Sequence, residues 1–173
     1  MLGLLVIDVQ QAMFGADEPL GGRAVVARIK DLIARARAHG VPVFYVQHDG
    51  GSGDEFDRNG PGFAFLPDIA PLPGDSITVK KRASAFYETG LDDKLRAVGV
   101  DHLVVCGMQT EYCVDTTIRS AFEHGYRVTA VADAHTTFNS QLLPAATIIA
   151  HTHHLWNGRF ARLKRSEEVN FAG

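Results

Sequence analysis

The sequence is poor in several features that would assign it to a specialised class of protein. It has 173 residues but only two cysteines, Cys106 and Cys113, which are too few for a disulfide scaffold and are not spaced as a CxxC motif. No apolar run approaches the length of a membrane span, and a formal net charge of −3 gives no bulk attraction to nucleic acid. We therefore expect no membrane or nucleic-acid partner, and a reducing, cytoplasmic setting.

Targeting and nucleotide-binding motifs are also missing. The chain begins MLGLLVIDV without a basic leader, and we expect this stretch to be a first strand rather than a signal peptide. The turn after it reads DVQQAMFG, which lacks the G-x-G-x-x-G pattern, and no P-loop lysine motif is present. These absences disfavour nucleotide binding.

The sequence does contain a regular alternation of two patterns. Apolar runs predict strands, and segments with apolar residues at helical spacing predict helices. The alternation has no internal repeat and no linker. We therefore predict one domain over residues 1–173, of the α/β class, with a parallel sheet covered by helices on both faces. The predicted strands cover 4–9, 43–46, 77–79, 103–106, 128–132 and 160–163, and a last helical turn covers 166–171.

The chain is organised around the stretch CGMQTEYCVDTTIRSAFEHGY, residues 106–126. It predicts a strand end, a sharp turn at Gly107 and a helix with Thr110 as its N-cap. Cys113 then lies in the first helical turn, where the helix dipole and free backbone donors favour a thiolate. The same device presents a nucleophilic serine in other proteins. The alternative is that Cys113 is a small buried residue.

Two charged residues are predicted at the ends of other strands. Asp8 interrupts a buried run, where a carboxylate without a cation is costly; the alternative is that it caps a loop. Lys80 leaves the third strand, although a solvated basic turn with Lys81 and Arg82 is the alternative. Because the ends of parallel strands share one edge, Asp8, Lys80 and Cys113 can converge there. Asp8 could take the thiol proton, while the ammonium would keep both anions ionised.

Residues near the same edge are candidates for a substrate pocket. The segment 48–75 is too long for an ordinary connection, so we expect a binding loop or lid. Phe14, His48, Tyr112 and Phe138 lie just beyond strand ends or in the turn before Cys113, and they could line a pocket for a small flat group. Plain packing is the alternative for these four side chains.

Three histidines near a predicted helix end raise the question of a metal. His151 and His154 are one turn apart, with His153 between them. A metal ion needs a third and usually a fourth ligand at fixed geometry. We favour a role at the helix end or in a subunit contact, and we expect no metal and no cofactor.

The motifs LLVIDVQ, VKKRASAF, GMQTEYCVDTTIRSAFEHGY and VADAHTTF together resemble the isochorismatase-like cysteine hydrolase superfamily. That group includes nicotinamidases, isochorismatases, N-carbamoylsarcosine amidases and streptothricin hydrolases. The resemblance covers nearly the whole chain, in the family's order of motifs. It implies a three-layer αβα, Rossmann-like domain with a six-stranded parallel sheet, and a homo-oligomer, either dimer or tetramer.

The resemblance also implies the roles of individual residues. Asp8, Lys80 and Cys113 fall on the family's catalytic triad, so that Lys81 would be a bystander. A cis peptide is implied between Met108 and Gln109, and the backbone N–H groups of Gln109 and Cys113 would form the oxyanion hole.

The implied reaction is hydrolysis of a small amide, lactam or carbamoyl substrate through a thioester on Cys113, with Asp8 as general acid and base. Nicotinamidases of this group carry a metal site with an Asp-x-His pair and a second histidine after the second strand. Between residues 47 and 66 this chain offers only His48, beside Asp49, which disfavours that activity. The alternatives are a vinyl-ether hydrolase of the isochorismatase type and a non-catalytic protein that binds small molecules on the same fold.

Overall fold

The computed structural model describes residues 1–172, which form a six-stranded sheet in the order β3-β2-β1-β4-β5-β6 with every pairing parallel. Side chains of β1 alternate between two cores, Leu4 and Val6 on one face and Leu5 and Ile7 on the other. A strand buried on both faces reads as a continuous apolar run. The strands are β1 (Leu2–Ile7), β2 (Val43–His48), β3 (Ser76–Lys80), β4 (His102–Met108), β5 (Arg127–Thr136) and β6 (Arg162–Lys164).

Helices cover both faces of the sheet. The helix α1 (Gly22–Ala38) buries apolar side chains at helical spacing and packs on one face, together with Val169 and Phe171. The other face is covered by α2 (Leu91–Ala97), α3 (Asp115–Glu123) and α4 (Ala145–Trp156). This is the predicted three-layer αβα architecture with a six-stranded parallel sheet, and the prediction is confirmed.

The strand order places a crevice beside β1 and β4. The chain leaves β1 toward β2 and β3 on one side and returns to β4 on the other, so the connections diverge at this point, where open α/β sheets bind ligands. Gly107 in β4 makes the close approach possible. Its φ is +127°, and a Cβ there would collide with the backbone of Ile7.

Several boundaries differ from the sequence-based expectation. The fifth strand continues to Thr136 instead of ending at residue 132, so His135 lies inside the strand. The last strand begins two residues late, and the final turn is a short 3₁₀ helix, Ser166–Glu168. Among residues 1–172 there is no helix with the length and apolar character needed to cross a bilayer.

Candidate active site

Asp8 follows β1 in an unusual backbone conformation. Its φ is +50°, a left-handed conformation that aspartate tolerates better than most residues. Its N–H donates to Val46 O at 3.0 Å, which ties the turn to β2. The side chain is entirely buried, and among residues 1–172 its Oδ1 accepts no well-aligned hydrogen bond. The turn thus holds a buried carboxylate at the crevice, beside the Cys113 side chain.

Lys80 supplies the cation that this buried carboxylate needs. Its side chain is also fully buried, and Nζ lies 2.7 Å from Asp8 Oδ2. The same ammonium lies 3.2 Å from Cys113 Sγ and 3.0 Å from Arg82 O. Because an ammonium carries three N–H donors, these three acceptors match its full capacity. Lys81, the next residue, is exposed.

Cys113 lies in a single turn of π-helix, Thr110–Val114, which precedes α3. The wider turn is closed by a hydrogen bond from Val114 N to Gln109 O at 3.1 Å. The Cys113 side chain is partly buried, whereas Cys106 is fully buried, and neither forms a disulfide. The three strand-end residues predicted to converge therefore lie together, with Lys80 touching both of the others.

Burial governs ionisation in this group. It raises the pKa of the Asp8 carboxyl, and the Lys80 charge opposes that shift. Burial, followed by the Asp8 charge, raises the pKa of Cys113 to about 12, and Lys80 again opposes the shift. The free site is therefore a Lys80–Asp8 ion pair beside a neutral thiol. The direction of this shift is opposite to the thiolate expected at a helix start.

The predicted N-cap role of Thr110 is wrong. No side chain caps this turn, and Thr110 Oγ1 instead pairs with His135 Nδ1 at 2.8 Å. His135 Nε2 in turn lies 2.8 Å from His153 Nε2. These contacts connect the turn to β5 through His135 and to α4 through His153. Burial lowers the pKa of His135 to about 3, which keeps this ring neutral at physiological pH. These hydrogen-bond contacts fix the position of the π-helical turn relative to β5 and α4.

The residue that opens the turn is Gln109. The peptide bond between Met108 and Gln109 is cis, as the resemblance implies. Among residues 1–172, the Gln109 N–H donates to no protein acceptor, which leaves it available to a ligand. Thr137 Oγ1 donates to Glu111 Oε1 at 2.9 Å and lies 3.4 Å from Gln109 Oε1, a further contact between the turn and the end of β5.

A cavity of about 220 Å³ lies next to Asp8 and Cys113, which form part of its lining. It contains two of the four predicted pocket residues, His48 and Tyr112. Phe14 lies outside its lining, because the ring packs beneath the Arg23 guanidinium at 4.9 Å. Phe138 lines an adjacent depression instead. The cavity is lined by Asp8, Met13, His48, Asp54, Glu55, Phe56, Gln109, Tyr112 and Cys113.

The segment 48–75 forms one wall of the cavity, and it is anchored to the turn that follows β1. The buried Gln10 accepts from His48 N at 2.8 Å and donates to the carbonyls of His48 and Phe63 at 3.0 and 2.9 Å. Sequence reasoning missed Asp54 and Glu55 as lining residues. The sequence shows only that both residues lie in a long loop after β2, and this does not indicate which way their side chains point.

The histidines near the end of α4 are separated by the helix. His151 and His154 are exposed, and only His153 turns inward, toward His135. Within the part of the chain that the structure describes, no group of three His, Cys, Asp or Glu side chains is arranged to hold a metal ion.

Comparisons with known proteins agree with this geometry. A family model described as the isochorismatase domain matches residues 3–153. The chain belongs to the isochorismatase family. The resemblance found from its motifs is thereby confirmed, as is the expectation of a hydrolase of this family.

Two sequence relatives align with most of this chain. An uncharacterised isochorismatase family protein of Bacillus subtilis, YddQ, is 36% identical, covering 95% of this chain and 96% of its own length. A streptothricin hydrolase of Streptomyces noursei is 39% identical over 86% of this chain, which spans only 53% of that relative.

Two crystal structures are similar throughout. An isochorismatase from Pseudomonas putida has a TM-score of 0.92 and 33% identity, covering 98% of this chain and 90% of its own. The N-carbamoylsarcosine amidase of Thermoplasma acidophilum has a TM-score of 0.82 and 26% identity, covering 98% of both chains.

Proposed function

We propose that this protein is a cysteine hydrolase that cleaves a small amide, lactam or carbamoyl C–N bond through a thioester on Cys113. The observation that carries the proposal is the Lys80 ammonium, which lies 2.7 Å from Asp8 and 3.2 Å from Cys113, two side chains that line the cavity. Similarity to a streptothricin hydrolase and to an N-carbamoylsarcosine amidase supports a C–N bond.

The first half of the reaction forms the thioester. Cys113 Sγ attacks the carbonyl carbon while its proton passes to Asp8, whose raised pKa suits a group that must both accept and return a proton. Lys80 balances the negative charge that moves between sulfur and carboxylate. The oxyanion accepts hydrogen bonds from the backbone N–H groups of Gln109 and Cys113. Asp8 then protonates the leaving amine as the C–N bond breaks.

The second half releases the acid. Water attacks the thioester carbon, and Asp8 takes the proton from that water. When the C–S bond breaks, the proton returns to Cys113 and the carboxylic acid leaves. No net proton or electron is stored in the protein, because Asp8 returns each proton that it takes, first to the leaving amine and then to Cys113.

The test compares hydrolysis of a panel of small amides, lactams, carbamoyl compounds and a vinyl ether by the wild type, Cys113→Ala and Cys106→Ala. We expect turnover in the wild type and in Cys106→Ala, and a loss of at least about 10³-fold in Cys113→Ala. Turnover that survives in Cys113→Ala, above all of a vinyl ether, would favour the ether hydrolase. Ligand binding without turnover in any variant would favour the binding protein.

The proposal extends to the setting of the enzyme. Residues 1–173 form a single domain that works as a homo-oligomer in the reducing cytoplasm, where two free thiols persist. Light scattering of the purified protein measures the oligomeric state directly, and a mass equal to one chain would refute that part.

A further inference from the structure

Two imidazole rings connect the π-helical turn that carries Cys113 to the surface of the protein. Thr110 begins this turn, and its Oγ1 lies 2.8 Å from His135 Nδ1. His135 Nε2 lies 2.8 Å from His153 Nε2. Thr110 and His135 are buried, whereas His153 is partly exposed and its Nδ1 is not closed off from solvent. The contacts therefore form one continuous chain from the turn to solvent.

The number of ring protons in this chain is set by burial. Burial lowers the pKa of both His135 and His153, so at neutral pH each imidazole is neutral and carries one N–H. A neutral imidazole has one donor nitrogen and one acceptor nitrogen. The chain can therefore run in two directions only. Either the Thr110 hydroxyl donates to His135 and His135 donates to His153, or both donations are reversed.

The surroundings of Thr110 favour the first direction. Within residues 1–172 its hydroxyl has no hydrogen-bond partner other than His135. In the reversed chain this hydroxyl would accept from His135, and its own proton would be buried without an acceptor, which is costly. In the first direction every buried proton has an acceptor, and the last N–H, on His153 Nδ1, meets water.

Helix α4 holds the same turn at a second point. Trp156 Nε1 donates to Asp115 Oδ1 at 2.6 Å, and Asp115 is the residue at which the turn passes into α3. The fully buried Trp156 ring also packs on His135, with centroids 5.1 Å apart. One helix thus fixes both ends of the turn. Single π-helical turns are rare and are found mostly at functional sites, so tertiary contacts of this kind have a geometry to maintain.

We propose that His135 and His153 are positioning residues for Cys113, and that their chain runs in one direction, from the Thr110 hydroxyl to water. The inference rests on the proposed function, because it takes Cys113 as the nucleophile. Neither imidazole lines the cavity, so both act through Thr110 on the turn that presents the thiol and the oxyanion-hole N–H groups. Protonation of His153 removes its acceptor nitrogen, which breaks the chain and leaves the Thr110 hydroxyl without support.

The direction of the chain can be measured without any substrate. Long-range proton–nitrogen correlation NMR of the isotopically labelled protein distinguishes the two nitrogens of each ring, because only one of them carries the proton. At neutral pH we expect the proton of His135 on Nε2 and the proton of His153 on Nδ1. A proton on His135 Nδ1 would overturn the proposed direction.

Three variants of α4 test the positioning role. His153→Phe keeps an aromatic ring but removes the acceptor, whereas His153→Gln supplies an amide oxygen that accepts a hydrogen bond and does not titrate. His151→Phe is the matched control, because His151 is exposed on the same helix. We expect kcat to fall by about 10- to 100-fold in His153→Phe with KM nearly unchanged, since a small misplacement of reacting groups is costly. His153→Gln should recover most of that loss. A kcat that is the same in His153→Phe and His151→Phe would refute the role.

The acid side of the pH profile separates positioning from plain structural support. The wild type should lose kcat as His153 takes up a second proton, and this step should be absent from His153→Gln. Burial alone lowers the pKa of His153. The groups that face its ring are His135 on β5 and, bonded to the Trp156 indole, Asp115, which is paired with Arg119. Identical acid limbs in the wild type and His153→Gln would contradict the inference.

Hydrogen exchange separates this inference from the proposed hydrolase. Backbone amides of residues 109–114 should exchange faster in His153→Phe than in His151→Phe, a comparison that needs no substrate. Faster exchange together with a lower kcat supports both proposals. Faster exchange without turnover of any amide by the wild type supports the chain as the support of the turn and refutes the hydrolase. Equal exchange with full turnover in His153→Phe refutes the positioning role alone.

Discussion

Replacing Asp8 with asparagine should have opposite effects on the reactivity of Cys113 and on turnover. In the wild type, burial and the Asp8 charge raise the pKa of Cys113 to about 12. The Lys80 ammonium, 3.2 Å from Sγ, is already engaged by the carboxylate 2.7 Å away. In Asp8→Asn the only anion left to balance this ammonium is the Cys113 thiolate, so the pKa of Cys113 falls.

The magnitude follows from the repulsion that the substitution removes. Two like unit charges about 4 Å apart repel by about 4 kcal/mol at an effective dielectric constant of about 20. That energy corresponds to roughly three pKa units, which would bring the midpoint to about 9 and raise the thiolate fraction near pH 8 by about 10³-fold. A thiolate of lower pKa is a weaker nucleophile, so we expect alkylation by iodoacetamide to accelerate by at least about 100-fold.

The assay follows alkylation of each cysteine against pH by mass spectrometry, alongside amide hydrolysis. Asp8→Asn should alkylate faster at Cys113 and hydrolyse nothing, because the proton acceptor is gone. Asp54→Asn is the matched control, since it removes a carboxylate from the same cavity without touching Lys80. Alkylation that is unchanged or slower in a folded Asp8→Asn protein would refute the electrostatic reasoning.

Three other substitutions test the support of the site. Lys80→Met leaves a buried carboxylate unpaired and should lower the free energy of unfolding in urea by about 3–5 kcal/mol, whereas the exposed Lys81→Met should not. His135 has a pKa lowered to about 3, so the unfolded chain binds the extra proton. Stability should therefore be complete above about pH 6.5 and fall below it by about 1.4 kcal/mol per pH unit, with a flatter profile in His135→Gln; equal slopes would contradict this. Gly107→Ala should destabilise by more than about 2 kcal/mol in the same urea assay, and an unchanged midpoint would refute the steric argument.

The convergence of Asp8, Lys80 and Cys113 could be predicted because strand ends in a parallel sheet share an edge. The order of the apolar runs and the residues that follow them are sufficient to predict the convergence. The exact strand boundaries do not enter, so errors of two to four residues in β5 and β6 left the predicted site unchanged.

The partners of individual polar side chains could not be predicted in the same way. Thr110 has the chemistry of an N-cap, but its hydroxyl pairs with His135, 25 residues away, and local sequence does not report such a tertiary partner. Phe14 faces Arg23 rather than the cavity. The directions of Asp54 and Glu55 depend on the path of the loop 48–75, which has no periodicity to read.

The central claim is that a thioester forms on Cys113, and rapid-quench intact-mass spectrometry during turnover of a reactive amide tests it most directly. We expect a transient mass increase equal to the acyl group, which maps to Cys113 and is removed by hydroxylamine. We expect no thioester in Cys113→Ser. A productive reaction in which no acyl adduct accumulates at any quench time, with turnover retained in Cys113→Ala, would contradict it.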